Sequence, residues 1–257
     1  MIERFVEIRA ADGTMDAFVT HPEEGGPFPA IIVYMDIWGV RDELYDIARS
    51  VGTVGYCCVV PDLYYRHGRR IHFDFRNDQN RTISRDRLEG DNLRTILARP
   101  QITNSMVASD TGAMLEFLNG AKFADRGAMG AVGYCMGGRY AMYVAGTYPE
   151  KFIASASLHG TALISEQKES PHHLAPRLRG EFYCGFAEHD PHSPPSLVRQ
   201  LEEILKGCPV RYRFTVHPGA EHGYALPERD VHDKRATARD WEFIFAMFHR
   251  QIPPHVG

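Results

Sequence analysis

A cysteine set among glycines occurs at Gly133-Tyr134-Cys135-Met136-Gly137-Gly138, where a run of small apolar residues gives way to helical spacing. A chain that passes from strand to helix through one residue forces that residue into a strained, exposed turn, and neighbouring glycines relieve the crowding. The side chain at the tip then projects from the carboxyl edge of the sheet, over a helix N-terminus whose free N–H groups and dipole favour a thiolate. The Met136 N–H points to where an oxyanion would form. The bland alternative is a tight turn around a buried, inert thiol. A nucleophile needs a base, and the base needs an orienting group. Downstream, Glu188-His189-Asp190 follows one apolar stretch and His217-Pro218-Gly219-Ala220-Glu221-His222-Gly223-Tyr224 follows another. In this order Asp190 would fix the tautomer of His222, which would take the proton from Cys135 and return it to a leaving group. His217, His189, His192, Glu188 and His159 compete for the same roles. Upstream, Asp36 in Met35-Asp36-Ile37-Trp38-Gly39-Val40 either accepts a hydrogen bond from the thiol or holds its own loop, and the Ile37 N–H is placed as a second oxyanion donor. Trp38, Tyr64, Tyr65, His159 and Tyr224 are candidate pocket walls, which are usually apolar with a few polar groups.

Elements must bring these distant residues to one place. Phe5–Ile8 and Met15–Val19 read as two strands joined at Asp12-Gly13. Ala30–Tyr34 and Gly55–Pro61 are continuous apolar runs of the kind buried on both faces of a parallel sheet. Between them, 42–54 carries helical spacing through Leu44, Ile47, Ala48 and Val51. Further strands are expected at 127–133, 152–158, 181–187 and 212–216, and helices at 105–119, 136–148, 195–206 and 236–251, with Ser105 as N-cap and Gly120 as the stop of the first. This alternation predicts one α/β domain over residues 1–257, with a mostly parallel central sheet covered by helices on both faces. Every candidate functional residue then falls just past a strand, at the carboxyl edge where open α/β sheets bind ligands. Residues 64–100 interrupt the alternation. Nine arginines interleave there with Asp and Asn, which reads as a solvated loop with a surface helix, or as a lid.

Composition narrows the function. With 44% hydrophobic residues, 24% charged and 257 residues in all, the chain is ordinary globular material. A net charge of −4 argues against nucleic acid as a partner, because phosphate neutralisation needs a basic excess. No apolar run approaches the ~20 residues that span a bilayer, and residues 1–10 lack the apolar segment of a secretory signal. Five cysteines, two of them adjacent, read as reduced thiols in a cytoplasmic protein. A metal-assisted reading through His189, Asp190, His192 and His222 lacks any helical or knuckle spacing of ligands.

Five segments in register resemble the dienelactone hydrolase (carboxymethylenebutenolidase) family of α/β-hydrolases, over a stretch from about Phe5 to the last helix. Met35-Asp36-Ile37-Trp38-Gly39-Val40 resembles its Gln-Glu-Ile-Phe-Gly-Val, and Pro61-Asp62-Leu63-Tyr64 its Pro-Asp-Leu-Tyr. Gly133–Gly138 is similar to its nucleophile elbow, Glu188-His189-Asp190 to its Glu-x-Asp, and Pro218–Gly223 to its Pro-Gly-Ala-x-His-Gly. The resemblance implies the α/β-hydrolase fold and a Cys135–His222–Asp190 triad. It also implies neither metal nor other cofactor, and hydrolysis of a small ester or lactone through a thioester. A monomer or small homo-oligomer is expected. Two positions depart from the pattern: the family's thiol-activating glutamate is Asp36, and the arginine four residues after the histidine is Leu226. Those departures motivate the rival expectation, a hydrolase-fold protein that binds a ligand or partner without turnover.

Overall fold

The apolar runs become the middle of one eight-stranded sheet. The computed structural model describes residues 1–255. Its strands are β1 (Ile2–Ala10), β2 (Gly13–His21), β3 (Ala30–Tyr34), β4 (Cys57–Pro61), β5 (Met129–Tyr134), β6 (Phe152–Leu158), β7 (Glu181–His189) and β8 (Arg211–Glu221). Its helices are α1 (Asp42–Gly52), α2 (Gly90–Leu97), α3 (Asn104–Gly120), α4 (Met136–Thr147), α5 (Pro195–Lys206) and α6 (Lys234–Gln251). The strands lie in the order β1-β2-β4-β3-β5-β6-β7-β8. The β1–β2 hairpin and the β2–β4 pair are antiparallel, and all other pairs are parallel. β3, β4 and β5 are buried along their whole length, as their unbroken apolar composition requires.

Chain direction decides which face each helix covers. From β3 the sheet grows one way, through α1 to β4. The chain then returns through α3 and grows the other way to β5, β6, β7 and β8. Because parallel crossovers are right-handed, reversing direction moves the helices to the opposite face. The reversal also leaves the β3 and β5 ends side by side. There the Tyr34 and Met35 carbonyls lie against Gly137 of the turn after β5, at the crevice in which this sheet class binds ligands.

The expected elements are present, with instructive shifts. α3 is capped by Thr103, whose hydroxyl accepts from the Met106 N–H at 3.1 Å, and Ser105 lies inside the first turn. Thr103 has the extended backbone that a cap needs, and Ser105 instead gives its N–H to Glu169. β8 runs five residues beyond its apolar stretch, to Glu221, because after a bulge it pairs again with His189. The arginine-rich segment 64–100 holds a short 3-10 turn at Arg85–Arg87 and then α2. Arg66 pairs with the buried Asp110 through two 2.8 Å hydrogen bonds, and Arg69 and Arg70 both reach Asp16. Farther along, Arg76 reaches Glu228 and Arg87 reaches Glu221 and Asp230. The Ser84 N–H and hydroxyl both donate to Asp230. These arginines therefore fasten the segment to the body of the protein and to residues 221–230.

Candidate active site

Cys135 stands between β5 and α4 with φ 53° and ψ −114°, in the left-handed half of backbone space that a β-carbon disfavours. Such an angle persists only where the surroundings enforce it. Here the Cys135 N–H donates to the Leu158 carbonyl at 3.0 Å, and the Cys135 carbonyl accepts from Gly138 and Thr161. The turn also needs its glycines. A Cβ at Gly133 would fall 1.9 Å from the Gly137 carbonyl oxygen, and one at Gly137 would fall 2.4 Å from that of Tyr34. The helix start, the sulfur and the strand end are thus locked together.

Three of the candidate side chains form a continuous relay. His222 Nε2 lies 3.2 Å from Cys135 Sγ, and its Nδ1 lies 2.8 Å from Asp190 Oδ2. Asp190 Oδ1 accepts from the His192 N–H at 2.8 Å, which orients the carboxylate. Burial disfavours charge on His222, but its interactions with the Cys135 sulfur and with Asp190 outweigh it and raise the imidazole to about 10. Acidic partners on both sides of a histidine favour its protonated form. A thiol, an imidazole and a carboxyl group in this contact can perform nucleophilic attack with proton return.

A cavity of about 200 Å³ opens on the sulfur. Ile37, Trp38, Cys135, His159, His192 and His222 line it, together with Ser84, Arg85, Arg99 and Arg229. The Ile37 and Met136 N–H groups make no hydrogen bond among the described residues. Asp36 takes the second of its two expected roles. It accepts from the Trp38 N–H at 3.0 Å and from Arg41 at 2.8 Å, and it pairs with Arg229. It therefore holds its own loop and does not contact the thiol.

Of the expected pocket walls, Trp38 and His159 line the cavity and three tyrosines do not. Tyr64 turns its hydroxyl to the Ile37 carbonyl and braces that loop. Tyr65 donates to Asp110, and Tyr224 donates to Asp240, neither of which lines the cavity. In each case burying the ring requires a partner for its hydroxyl. His159 is fully buried with neither ring nitrogen hydrogen-bonded among the described residues. Burial, with His222 and Arg229 nearby, pushes it well below its ordinary value, so it is a neutral imidazole against the His222 ring. His189 is exposed beside Glu188, and His217 is bound to Asp240, so neither competes for Cys135. Among the described residues no three His, Cys, Asp or Glu side chains are placed to hold a metal ion.

Sequence reasoning missed Arg229. Its guanidinium stacks over Trp38 at 4.4 Å, pairs with Asp36, and leaves Nε and Nη1 unpartnered among the described residues. Burial pushes it below its ordinary value, against the pull of Asp36. Nothing in 223–233 marks it, because a buried arginine in an irregular segment follows no period. Leu226, by contrast, is buried in the core and stays out of the cavity.

A mostly parallel sheet, a strained elbow after β5 and the chain order cysteine, aspartate, histidine fit the α/β-hydrolase fold. The profile of the dienelactone hydrolase family matches residues 15–252, and the chain belongs to that family. It is 25% identical over 251 residues to a Methylorubrum extorquens protein provisionally named as a carboxymethylenebutenolidase, covering 95% of this chain and 80% of that one. A Synechocystis protein with the same provisional name is 23% identical, covering 91% of each chain. In structure it is similar to a protein from Klebsiella pneumoniae provisionally named as a dienelactone hydrolase. That match has a TM-score of 0.80 and 20% identity, over 97% of this chain and 98% of the other. No helix among the described residues is long and apolar enough to cross a membrane.

Proposed function

We propose that this hydrolase cleaves a small carboxylic ester or lactone with Cys135 as nucleophile. The observation that supports this most directly is the unbroken relay of sulfur, imidazole and carboxylate beneath a small cavity. The sulfur attacks the carbonyl carbon, and the resulting oxyanion is met by the Ile37 and Met136 N–H groups. Each such donor is worth about 10²–10³ in turnover where measured in other enzymes. His222 passes its proton to the departing alkoxide, leaving a thioester. It then takes a proton from water as the water attacks, and collapse frees the acid and the thiolate. Asp190 keeps the imidazole in register throughout.

Arg85, Arg99 and Arg229 line the cavity, and the unpartnered Nε of Arg99 and Nε and Nη1 of Arg229 favour a substrate with a carboxylate or comparable negative group. Arg85, Arg99 and Arg229 would replace the family arginine that Leu226 lacks. Cys135→Ala is expected to remove at least about 10³-fold of turnover of an activated aryl ester, with folding intact by circular dichroism. Activity retained in that variant overturns the mechanism. Absence of turnover by the wild type across a broad ester and lactone panel, with fast alkylation of Cys135, would point to ligand binding without catalysis.

A further inference from the structure

Behind the relay lies a second polar cluster that the chemistry above does not use. Asp240 of α6 is wholly buried, and no arginine or lysine is bonded to it among the described residues. Its Oδ1 accepts from His217 Nε2 and from the Tyr183 hydroxyl, each at 2.6 Å. Its Oδ2 accepts from the Tyr224 hydroxyl at 2.6 Å. The cluster sits over Gly185 of β7, where a Cβ would fall 2.4 Å from the Tyr224 hydroxyl and 2.7 Å from Asp240 Oδ1. A carboxylate in such a place is costly unless every lone pair is met, and an apolar residue would pack there at no such cost.

The donors are informative by position. His217 and Tyr224 are the two ends of segment 217–224, which carries His222 between two glycines of positive φ, Gly219 and Gly223. The Tyr224 ring also packs on His159, and His159 packs on His222, with centroids 5.5 and 5.0 Å apart. We propose that Asp240 is a positioning residue for His222: by gripping both ends of segment 217–224 it fixes where the imidazole stands relative to Cys135. This rests on His222 serving as the base for Cys135. Satisfied networks in a low-dielectric interior specify one arrangement, and misplacement of a reacting group by about 1 Å can cost 10²-fold.

Tyr183 supplies the control, because it gives Asp240 an equally short hydrogen bond from β7, outside the segment. Tyr224→Phe should lower kcat about tenfold or more with KM within about twofold, and shift the pH dependence of Cys135 alkylation by iodoacetamide. Tyr183→Phe should leave kcat within about twofold and the alkylation profile unchanged, while lowering the melting temperature about as much as Tyr224→Phe does. His217→Gln, which keeps a donor, should lie closer to wild type than His217→Ala; that pair carries the test if Tyr224→Phe fails to fold. Equal kcat effects in the two tyrosine variants, or no rescue by glutamine, overturn the inference. Turnover surviving in Cys135→Ala or His222→Ala would instead overturn the mechanism beneath it, so the two failures are distinguishable.

Discussion

At the scale of single residues, the site is governed by one coupled pair. Burial works against charge on His222, but interaction with the Cys135 sulfur and the hydrogen bond to Asp190 outweigh it and raise the imidazole to about 10. Removing the sulfur in Cys135→Ala should bring the His222 titration, followed by its ring NMR signals, well below the wild-type midpoint. An unchanged midpoint would mean that Asp190 alone sets it. The sign for stability follows from the same shift. A histidine raised on folding contributes stability that is complete below its unfolded value, near 6.5, and fades as pH climbs toward about 10. The difference in unfolding free energy between wild type and His222→Ala should therefore shrink between those limits.

At the scale of elements, sequence periodicity carries far but not everywhere. β3 was legible to the residue because a strand buried on both faces must be apolar throughout. The elbow was legible because only glycine fits beside it. The pairing of β8 beyond Val216 was not, since it depends on a bulge with a neighbouring strand and leaves no apolar trace. Asp240 did leave a trace: it occupies the stripe shared by Ala236, Ile244, Met247 and Phe248, a charged residue where α6 should be apolar. Asp36 shows what elements do to charges. It pairs with Arg229 and with Arg41, which Glu43 also holds, all of these side chains being nearly or wholly inaccessible. Asp36→Ala leaves the buried Arg229 without its carboxylate and should cost about 3–5 kcal/mol in urea unfolding. If the Ile37 N–H serves the reaction as proposed, the same change should also depress turnover, since the loop loses the Asp36–Trp38 hydrogen bond.

At the scale of the whole molecule, the net charge of −4 and the cavity lining oppose each other. A negative molecule repels an anion at long range, but a cleft lined by three arginines concentrates it locally. The kcat/KM for a carboxylate-bearing ester should therefore fall with added salt more steeply than for its neutral isostere, because screening removes the local attraction. Equal salt dependence would mean that Arg85, Arg99 and Arg229 serve the fold and not the substrate. The arginine-rich segment belongs to the same balance, since its ties to Glu221, Glu228 and Asp230 join one cavity wall to the stretch bearing His222. The elbow has a consequence for the evolution of the chain. Glycine would rest at φ 53° without strain, so the sulfur is kept at a loss of robustness. A lineage released from the need to react, and selected only to endure heat, would be free to discard its thiol first.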